Sequence, residues 1–95
     1  MPRKTVPFNR QGIEKLPDNK PVVYRILTEG GKNNYIGIAQ RGRVQERPTE
    51  HLGAGKDPVP GVRVVIEQHS SINEARGQEQ RVIARGQPKY NEQGT

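Results

Sequence analysis

Four side chains in this sequence have types and spacings that suit the cleavage of a phosphodiester bond. Tyr24 and Tyr35 carry phenols that could exchange protons, and His51 follows Arg47 by one helical turn. On a helix, this spacing would put a planar guanidinium that suits phosphate oxygens beside an imidazole that exchanges protons near neutral pH. For an isolated arginine and histidine pair, a solvated basic face without a function is the plainer alternative.

The carboxylate of Glu79 is the most informative single group. The apolar pattern predicts a helix from about residue 71 to residue 85, with Ser71 and Glu74 as its capping box. Glu79 would lie on the apolar stripe of this helix, among Ile72, Ala75, Val82 and Ile83. Because burying an unpaired acid is costly, we expect a cation to meet it, either a metal ion, an arginine or a lysine. The alternative is a carboxylate at the edge of the stripe that reaches solvent or pairs with Arg25 or Arg63.

A β-hairpin is predicted to place the two tyrosines side by side. Residues 21–27 and 34–39 are rich in β-branched and aromatic residues, and two glycines between them suit a turn with positive φ. Tyr24 and Tyr35 would then lie on neighbouring antiparallel strands. Such a pair is more often simply part of a core, and a phenol acts as a base only where positive charge or a metal lowers its pKa.

A third strand and a short helix complete the elements predicted around the site. The strand covers residues 62–67, and its alternation puts three apolar side chains on one face, namely Val62, Val64 and Ile66. The helix is predicted for residues 44–52, with Pro48 tolerated only in its first turn. His69 matches no constellation and is predicted to contact solvent at the end of the third strand.

Composition indicates one basic domain with a thin core. The chain has 95 residues, of which 29% are hydrophobic and 4% aromatic, and its net charge of +6 favours an anionic partner. We expect nucleic acid, with an anionic membrane or an unpartnered basic surface as alternatives. The absence of cysteine excludes disulfides and cysteine-ligated metals. No apolar run is long enough for a transmembrane helix, so we expect a cytoplasmic protein without a membrane partner.

The first twenty residues are predicted to differ in role from the rest. We interpret residues 1–20 as a basic N-terminal arm and residues 21–95 as the domain. The arm is expected to pack Phe8 or Leu16 on the sheet and to offer three cations to phosphates: Arg3, Lys4 and Arg10. A loosely ordered tail is the alternative. Nucleic-acid contacts within the domain are expected at Arg41, Arg43, Lys56 and Lys89.

Taken together, these residues resemble the motifs of the GIY-YIG nuclease family. The first half-motif is present as Val22-Val23-Tyr24, with valines in place of the usual Gly and Ile, and the second is Tyr35-Ile36-Gly37. An apolar residue, an arginine and a histidine follow in the order of the family, as Val44, Arg47 and His51. Glu79 and the tail Pro88-Lys89-Tyr90-Asn91 complete the resemblance, which covers roughly residues 21 to 91.

The chain departs from the family pattern at three places. The loop before Arg47 is slightly longer than is usual, so Arg41 and Arg43 are alternatives for its role. Pro48 follows Arg47 directly, which indicates a helix that begins late or is distorted. Ile38 replaces a commonly polar residue.

The resemblance implies a fold and a cofactor. The fold would be of the α/β class, more specifically α+β, with a three-stranded antiparallel sheet flanked by helices. The activity would be that of a metal-dependent endonuclease acting on DNA or RNA, with DNA the more expected substrate. Glu79 would be the lone protein ligand of one divalent metal ion, Mg²⁺ or Mn²⁺, which agrees with the few carboxylates that Mg²⁺ takes.

The resemblance also implies a role for each site residue. Tyr24 resembles the general base that activates water, and Tyr35 and His51 would assist it by hydrogen bonding or proton transfer. Arg47 would stabilise the charge that gathers on the phosphate. Asn91 would position groups near the metal.

Two further interpretations follow. The helix segment of residues 75–80 and the C-terminal end of the chain are similar to toxin domains of bacterial polymorphic toxins. In that case the domain would be delivered into a target cell, and a cognate immunity protein would block the site. The altered first half-motif and Pro48 leave open a catalytically inactive nucleic-acid-binding module on the same fold.

Overall fold

A computed structural model describes residues 3–52 and 59–86 of the chain. Four strands form one antiparallel sheet in the order β1-β4-β2-β3, and helices flank it, as predicted for an α+β fold. Within the described residues, the elements in chain order are β1 (Arg3–Pro7), α1 (Arg10–Ile13), β2 (Val22–Leu27), β3 (Asn33–Ala39), α2 (Glu46–Thr49), β4 (Arg63–Gln68) and α3 (Ile72–Gly86).

The predicted number of three strands is wrong, because β1 adds a fourth. This strand lies in the segment interpreted as a basic arm, and it pairs with β4 from Arg3 opposite Glu67 to Pro7 opposite Arg63. Among its five residues only Val6 is buried. An edge strand that buries one side chain has no apolar periodicity to reveal it.

The predicted hairpin is confirmed as β2 and β3. In the register, Tyr24 lies opposite Gly37 of β3 on one side and opposite Ile66 of β4 on the other. The hairpin turn uses one of its two glycines for a positive φ, since Gly31 has φ of 87°. Tyr24 is therefore on an interior strand, one strand away from the sheet edge that β3 forms.

The two faces of the sheet bury different partners. One face carries Tyr24 within a cluster that the N-terminal segment covers with Ile13 and Leu16, while Val44 adds a side chain from the segment before α2. Phe8 packs against the same cluster. The other face carries Val23 and Ile36 and is covered by the predicted stripe of α3, which comprises Ile72, Ala75, Val82 and Ile83.

The third predicted strand is confirmed with a shift of one residue. It runs from Arg63 to Gln68, and Val64 and Ile66 are buried as the alternation predicts. Val62, predicted as part of the strand on the same face as Val64 and Ile66, precedes the strand and is 45% exposed. Its backbone is still held on both sides, because its N–H donates to Leu27 O at 2.8 Å and its carbonyl oxygen accepts the Phe8 N–H at 3.0 Å.

The helix predicted for residues 44–52 is a single turn, α2. Pro48 lies in its first turn, where its missing N–H costs nothing. The segment before α2 is held by the N-terminal segment. Asp18 Oδ1 accepts the Val44 N–H at 2.7 Å, and Gln45 Nε2 donates to the carbonyl oxygens of Glu14 and Leu16 at 3.1 and 3.0 Å. These bonds orient the chain that leads to α2.

The start of α3 agrees with half of the predicted capping box. Ser71 Oγ accepts the Glu74 N–H at 3.2 Å, as predicted. The Glu74 carboxylate accepts a backbone N–H at 3.2 Å from Ser70 rather than from Ser71. No helix within the described residues has the length and apolar character needed to cross a membrane.

Candidate active site

Two tyrosines and a histidine form one aromatic cluster. The ring of His51 lies 4.2 Å from that of Tyr35 and 5.9 Å from that of Tyr24, and the two tyrosine rings stack at 5.9 Å. Tyr24 Oη lies 2.9 Å from His51 Nε2, which is hydrogen-bonding distance. Tyr24 is 0% and His51 3% exposed, whereas Tyr35 is half-buried. Tyr35 therefore forms the outer part of the cluster.

Gly37 makes this arrangement possible. A Cβ atom there would lie 2.7 Å from both Cζ and Oη of Tyr24 and 2.9 Å from Cε1 of Tyr35. The Tyr24 ring thus crosses over the backbone of the edge strand β3, and its hydroxyl group reaches from an interior strand to the sheet edge. Any larger residue at position 37 would occupy the space of the phenol.

Burial dominates the acidity of Tyr24. It raises the pKa of the Tyr24 phenol well above its ordinary value, and the neighbouring Tyr35 raises it further, while the Arg47 guanidinium acts in the opposite direction. A phenol that acts as a free base needs a lowered pKa, whereas the pKa of Tyr24 is raised. In this structure the phenol keeps its proton near neutral pH and can donate it to Nε2 of His51 when that nitrogen carries no proton.

Arg47 connects the phenol with the carboxylate. Its charge lowers the pKa of Tyr24 and also that of Glu79, so the guanidinium lies near both groups. Its Nη1 lies 3.5 Å from Glu50 Oε1, in a pair where both side chains are partly exposed. Arg47 lies within α2, and His51 follows it by four residues, just after the helix ends. The arrangement lets one cation act on two elements of the site.

Glu79 is a half-buried carboxylate on α3. Burial raises its pKa, and the charges of Arg76 and then Arg47 counteract this effect. Among residues 3–52 and 59–86, no hydrogen bond or ion pair to its carboxylate is formed. A partly desolvated acid of this kind favours a cation that arrives from outside the described chain.

The alternative partners considered for Glu79 lie elsewhere. Arg25 is half-buried beside Arg3 and Glu67, and burial lowers its pKa. Arg63 donates from Nη2 to the carbonyl oxygens of Thr28 and Glu29 at 3.4 and 3.3 Å. Neither arginine therefore neutralises Glu79.

The donor chemistry around Glu79 fits a magnesium ion better than a metal held by many protein ligands. Within the described part of the chain, no group of three His, Cys, Asp or Glu side chains could hold a metal ion. Mg²⁺ typically keeps several water molecules and binds one or two carboxylates. A single half-buried carboxylate with few protein partners suits that mode.

The remaining predicted residues are exposed or undescribed. Arg41 and Arg43 are exposed in the turn after β3, and Arg43 Nη2 pairs with Glu46 Oε1 at 2.6 Å. Three further predicted residues lie outside the described residues: Lys56, Lys89 and Asn91.

The prediction that His69 contacts solvent is wrong. His69 is 6% exposed, and its Nε2 lies 3.0 Å from Oε1 of Glu67, which is itself 8% exposed. Oε2 of the same carboxylate accepts from Arg3 Nε at 3.1 Å, and Nδ1 of His69 lies 4.0 Å from Glu74 Oε1. Residues two apart on a strand share a face, so the spacing of Glu67 and His69 was the signal that could have revealed this pair.

Comparison with known proteins agrees with the observed geometry at the level of the fold. No family model and no curated protein matches the sequence. The chain is similar to the crystal structure of the GIY-YIG N-terminal endonuclease domain of UvrC from Thermotoga maritima bound to its catalytic divalent cation, magnesium. That similarity has a TM-score of 0.67 and 25% identity, and it covers 86% of this chain and 93% of that one. The chain therefore has the GIY-YIG nuclease fold.

Point variants of the same Thermotoga maritima domain are also similar to this chain. One replaces a tyrosine by phenylalanine and matches with a TM-score of 0.67 and 25% identity over 86% of this chain and 92% of that one. Another replaces an asparagine by alanine and matches with a TM-score of 0.66 and 24% identity over 85% and 91%. Both variants are bound to the catalytic divalent cation.

Proposed function

We propose that this protein is a metal-dependent endonuclease that hydrolyses phosphodiester bonds, with DNA as the more expected substrate and RNA as the other. The observation that carries the proposal is the position of Arg47. Its guanidinium acts on the phenol of Tyr24 and on the carboxylate of Glu79, on a fold whose similar solved structures are endonuclease domains with a catalytic divalent cation.

In this proposal, Glu79 holds one Mg²⁺ or Mn²⁺ ion. When bound, the metal supplies positive charge that polarises the phosphate and neutralises the leaving oxygen. Arg47 binds a non-bridging oxygen of the scissile phosphate and stabilises the negative charge that grows there during attack. Binding a phosphate requires Arg47 to leave Glu50, which is a small rearrangement because their contact is long and partly exposed.

The proton of the attacking water passes through Tyr24. As water attacks phosphorus, Tyr24 Oη accepts its proton and gives its own proton to His51 Nε2, 2.9 Å away. The raised pKa of Tyr24 makes a free phenolate unfavourable, so the acceptor at hydrogen-bonding distance is essential to this step. Tyr35 keeps the imidazole in place by ring contact. Asn91 is proposed to position groups near the metal.

The test is cleavage of plasmid and of short labelled DNA and RNA strands with Mg²⁺ or Mn²⁺. We expect Glu79→Gln to lower cleavage by about 100-fold or more, because the carboxylate that holds the metal is lost. Circular dichroism and the thermal midpoint should stay near those of the unmodified protein. Glu29→Gln, which changes an exposed carboxylate in the hairpin turn, is the matched control and should cleave normally. Unchanged cleavage by Glu79→Gln would contradict the proposed mechanism.

One observation favours the alternative of a catalytically inactive nucleic-acid-binding module. Tyr24 is completely buried, so attacking water reaches its hydroxyl group only if neighbouring side chains move. This alternative predicts binding that weakens steeply with salt and no cleavage with any divalent metal. Fluorescence anisotropy beside the cleavage assay separates the two functions.

A narrower biological role is part of the proposal. Similarity of the α3 sequence to polymorphic-toxin domains supports a nuclease that acts on nucleic acid in the cytoplasm of a target cell and is blocked by an immunity protein. Expression in the bacterial cytoplasm should then be toxic, and Glu79→Ala should relieve the toxicity. If the unmodified protein cleaves DNA in vitro but its expression is harmless, the toxin role is contradicted and the nuclease activity is not.

A further inference from the structure

A small hollow lies beside Arg47. Its volume is about 170 Å³, and it lies between the end of β3, the segment leading into α2 and the first turn of α3. Its lining is of two kinds. Apolar side chains form one part, from Ile38, Ala39 and Ile72, and an amide with two guanidiniums forms the other, from Gln40, Arg43 and Arg47.

The two arginines of the hollow stand one helical turn apart. The Arg47 N–H donates to the Arg43 carbonyl oxygen at 3.1 Å, so the backbone between them follows one turn. Their Cβ atoms are therefore expected to lie on one face at roughly 5–6 Å. Two guanidiniums so spaced can bind two phosphates of one strand, which are separated by a single nucleoside.

The chemistry of the lining suits that nucleoside. Aromatic bases bind to apolar side chains and stack on the planes of arginine guanidiniums, and an amide can hydrogen-bond to a base edge. Pockets that enclose a drug-sized ligand have roughly 300–1,000 Å³. A hollow of about 170 Å³ is too small for that and suits one nucleoside of a strand whose neighbours remain outside.

We propose that this hollow is a nucleoside subsite, in which Arg47 binds the scissile phosphate, Arg43 binds the next phosphate of the same strand, and Ile38 and Ile72 contact the base between them. The proposal rests on the proposed action on nucleic acid and deepens it. It gives Ile38, the apolar residue after the second half-motif, a function as part of the base-contacting wall. It also separates Arg43 from Arg41, which does not line the hollow.

Arg43 is available for this role although it forms an ion pair. Its partner Glu46 is an exposed carboxylate, and the side chains of the pair are 49% and 55% exposed. Exposed ion pairs contribute little to stability, so a phosphate with its larger charge can replace the carboxylate. In the absence of nucleic acid, Glu46 holds the guanidinium near the hollow.

The test measures binding of thymidine 3′,5′-bisphosphate by isothermal titration calorimetry at low salt without divalent metal. Thymidine 5′-monophosphate, thymidine 3′-monophosphate and the abasic deoxyribose 3,5-bisphosphate serve as comparison ligands. We expect the thymidine bisphosphate to bind at least about tenfold more tightly than each of them, since it alone fills both phosphate positions and the hollow. Equal binding of the abasic bisphosphate, or of either monophosphate, would overturn the proposal.

Variants of the protein test whether Arg43 binds the second phosphate. Arg43→Ala should reduce bisphosphate affinity to that of the tighter monophosphate and leave the affinity for that monophosphate close to normal. Arg85→Ala, which removes an exposed charge at the far end of α3, is the matched control and should retain the tenfold preference. If Arg85→Ala and Arg43→Ala weaken all ligands equally, binding is only general electrostatic attraction and the proposal fails.

These outcomes are distinct from those of the nuclease test. A protein that cleaves DNA but shows no preference for the bisphosphate retains its proposed function and lacks the subsite. A protein that prefers the bisphosphate but cleaves nothing has the subsite on a binding module. Neither result can be mistaken for the other, because the calorimetric measurement needs no catalysis.

Discussion

The two histidines of this chain are both buried, and their neighbours give them different chemistry. His51 lies among aromatic rings, and its Nε2 is within hydrogen-bonding distance of the phenol of Tyr24. His69 lies between two carboxylates, with Glu67 at 3.0 Å and Glu74 at 4.0 Å. His51 therefore faces a neutral group that can both donate and accept a proton, whereas His69 faces groups that, when ionised, only accept hydrogen bonds.

We therefore propose a catalytic role for His51 and a structural role for His69, which with Glu67 and Arg3 forms a cluster that we call the joint. His51 follows α2 and contacts residues of the hairpin, at the sheet edge where Gly37 leaves room for a ring. His69 joins the end of β4 to the start of α3, and Glu67 extends this joint to Arg3 of β1. The two histidines are buried to a similar degree, so only their neighbours support the different proposed roles.

The largest effect should come from changing the two histidines separately. His51→Gln should lower kcat by about 100-fold or more, because general acid–base catalysis contributes roughly 10²- to 10⁴-fold. His69→Gln should keep kcat near that of the unmodified protein and lower the thermal midpoint. Cleavage rates under single-turnover conditions and thermal unfolding of both variants check the comparison. Similar kcat values for the two variants would remove the distinction.

Gly37→Ala should disrupt the aromatic cluster of Tyr24, Tyr35 and His51 and leave the pair of Glu67 and His69 intact. The added methyl group would meet the Tyr24 ring at 2.7 Å, and overpacking of this kind costs about 1–3 kcal/mol. We expect loss of cleavage together with lower stability in urea. Gly30→Ala is the matched control, since its Cβ would meet only Thr28 Oγ1 at 3.9 Å. A fully active Gly37→Ala variant would show that the ring positions do not matter.

Glu67→Gln should affect the joint alone. It removes the charge from a hydrogen bond to His69 and from the pair with Arg3, which should cost about 1–2 kcal/mol of unfolding free energy. Cleavage per folded molecule should not change. Urea unfolding beside the exposed control Glu14→Gln gives the measurement, and equal stability of the two variants would contradict the structural role of the joint.

The smallest effect is the pH dependence of the joint. Burial alone would raise the pKa of Glu67, but the hydrogen bond and charge of Arg3, together with those of His69, lower it below its usual value of 4.5. A lowered folded-state pKa adds stability above the unfolded pKa, and this stability is lost as the pH falls through the folded pKa. The urea midpoint should therefore fall below about pH 4.5, and Glu67→Gln should show a weaker decrease. An identical pH profile for the variant would exclude Glu67 as the source.

Local patterns in the chain were enough to predict the elements that carry the site. Alternation and turn glycines predicted the hairpin with Tyr24 and Tyr35, and the helical period predicted α3 with Glu79 among its apolar side chains. These patterns extend over one element each, so neighbouring residues alone determine them. The α+β class came from the resemblance of these motifs to the GIY-YIG family rather than from the local patterns themselves.

Contacts between distant parts of the chain were decided by the tertiary structure. The fourth strand forms where β1 pairs with β4, and there Arg3 donates to Glu67 across 64 positions of sequence. Tyr24 Oη lies 2.9 Å from His51 Nε2 across 27 positions of sequence. The Tyr24 ring reaches this position by packing over Gly37, where a side chain would collide with it. The sequence by itself determined which side chains each element presents. The packing of the elements in the sheet decided which of these side chains meet. Contacts between residues far apart in sequence depend on how the elements pack, and the periodicity within one element does not specify that.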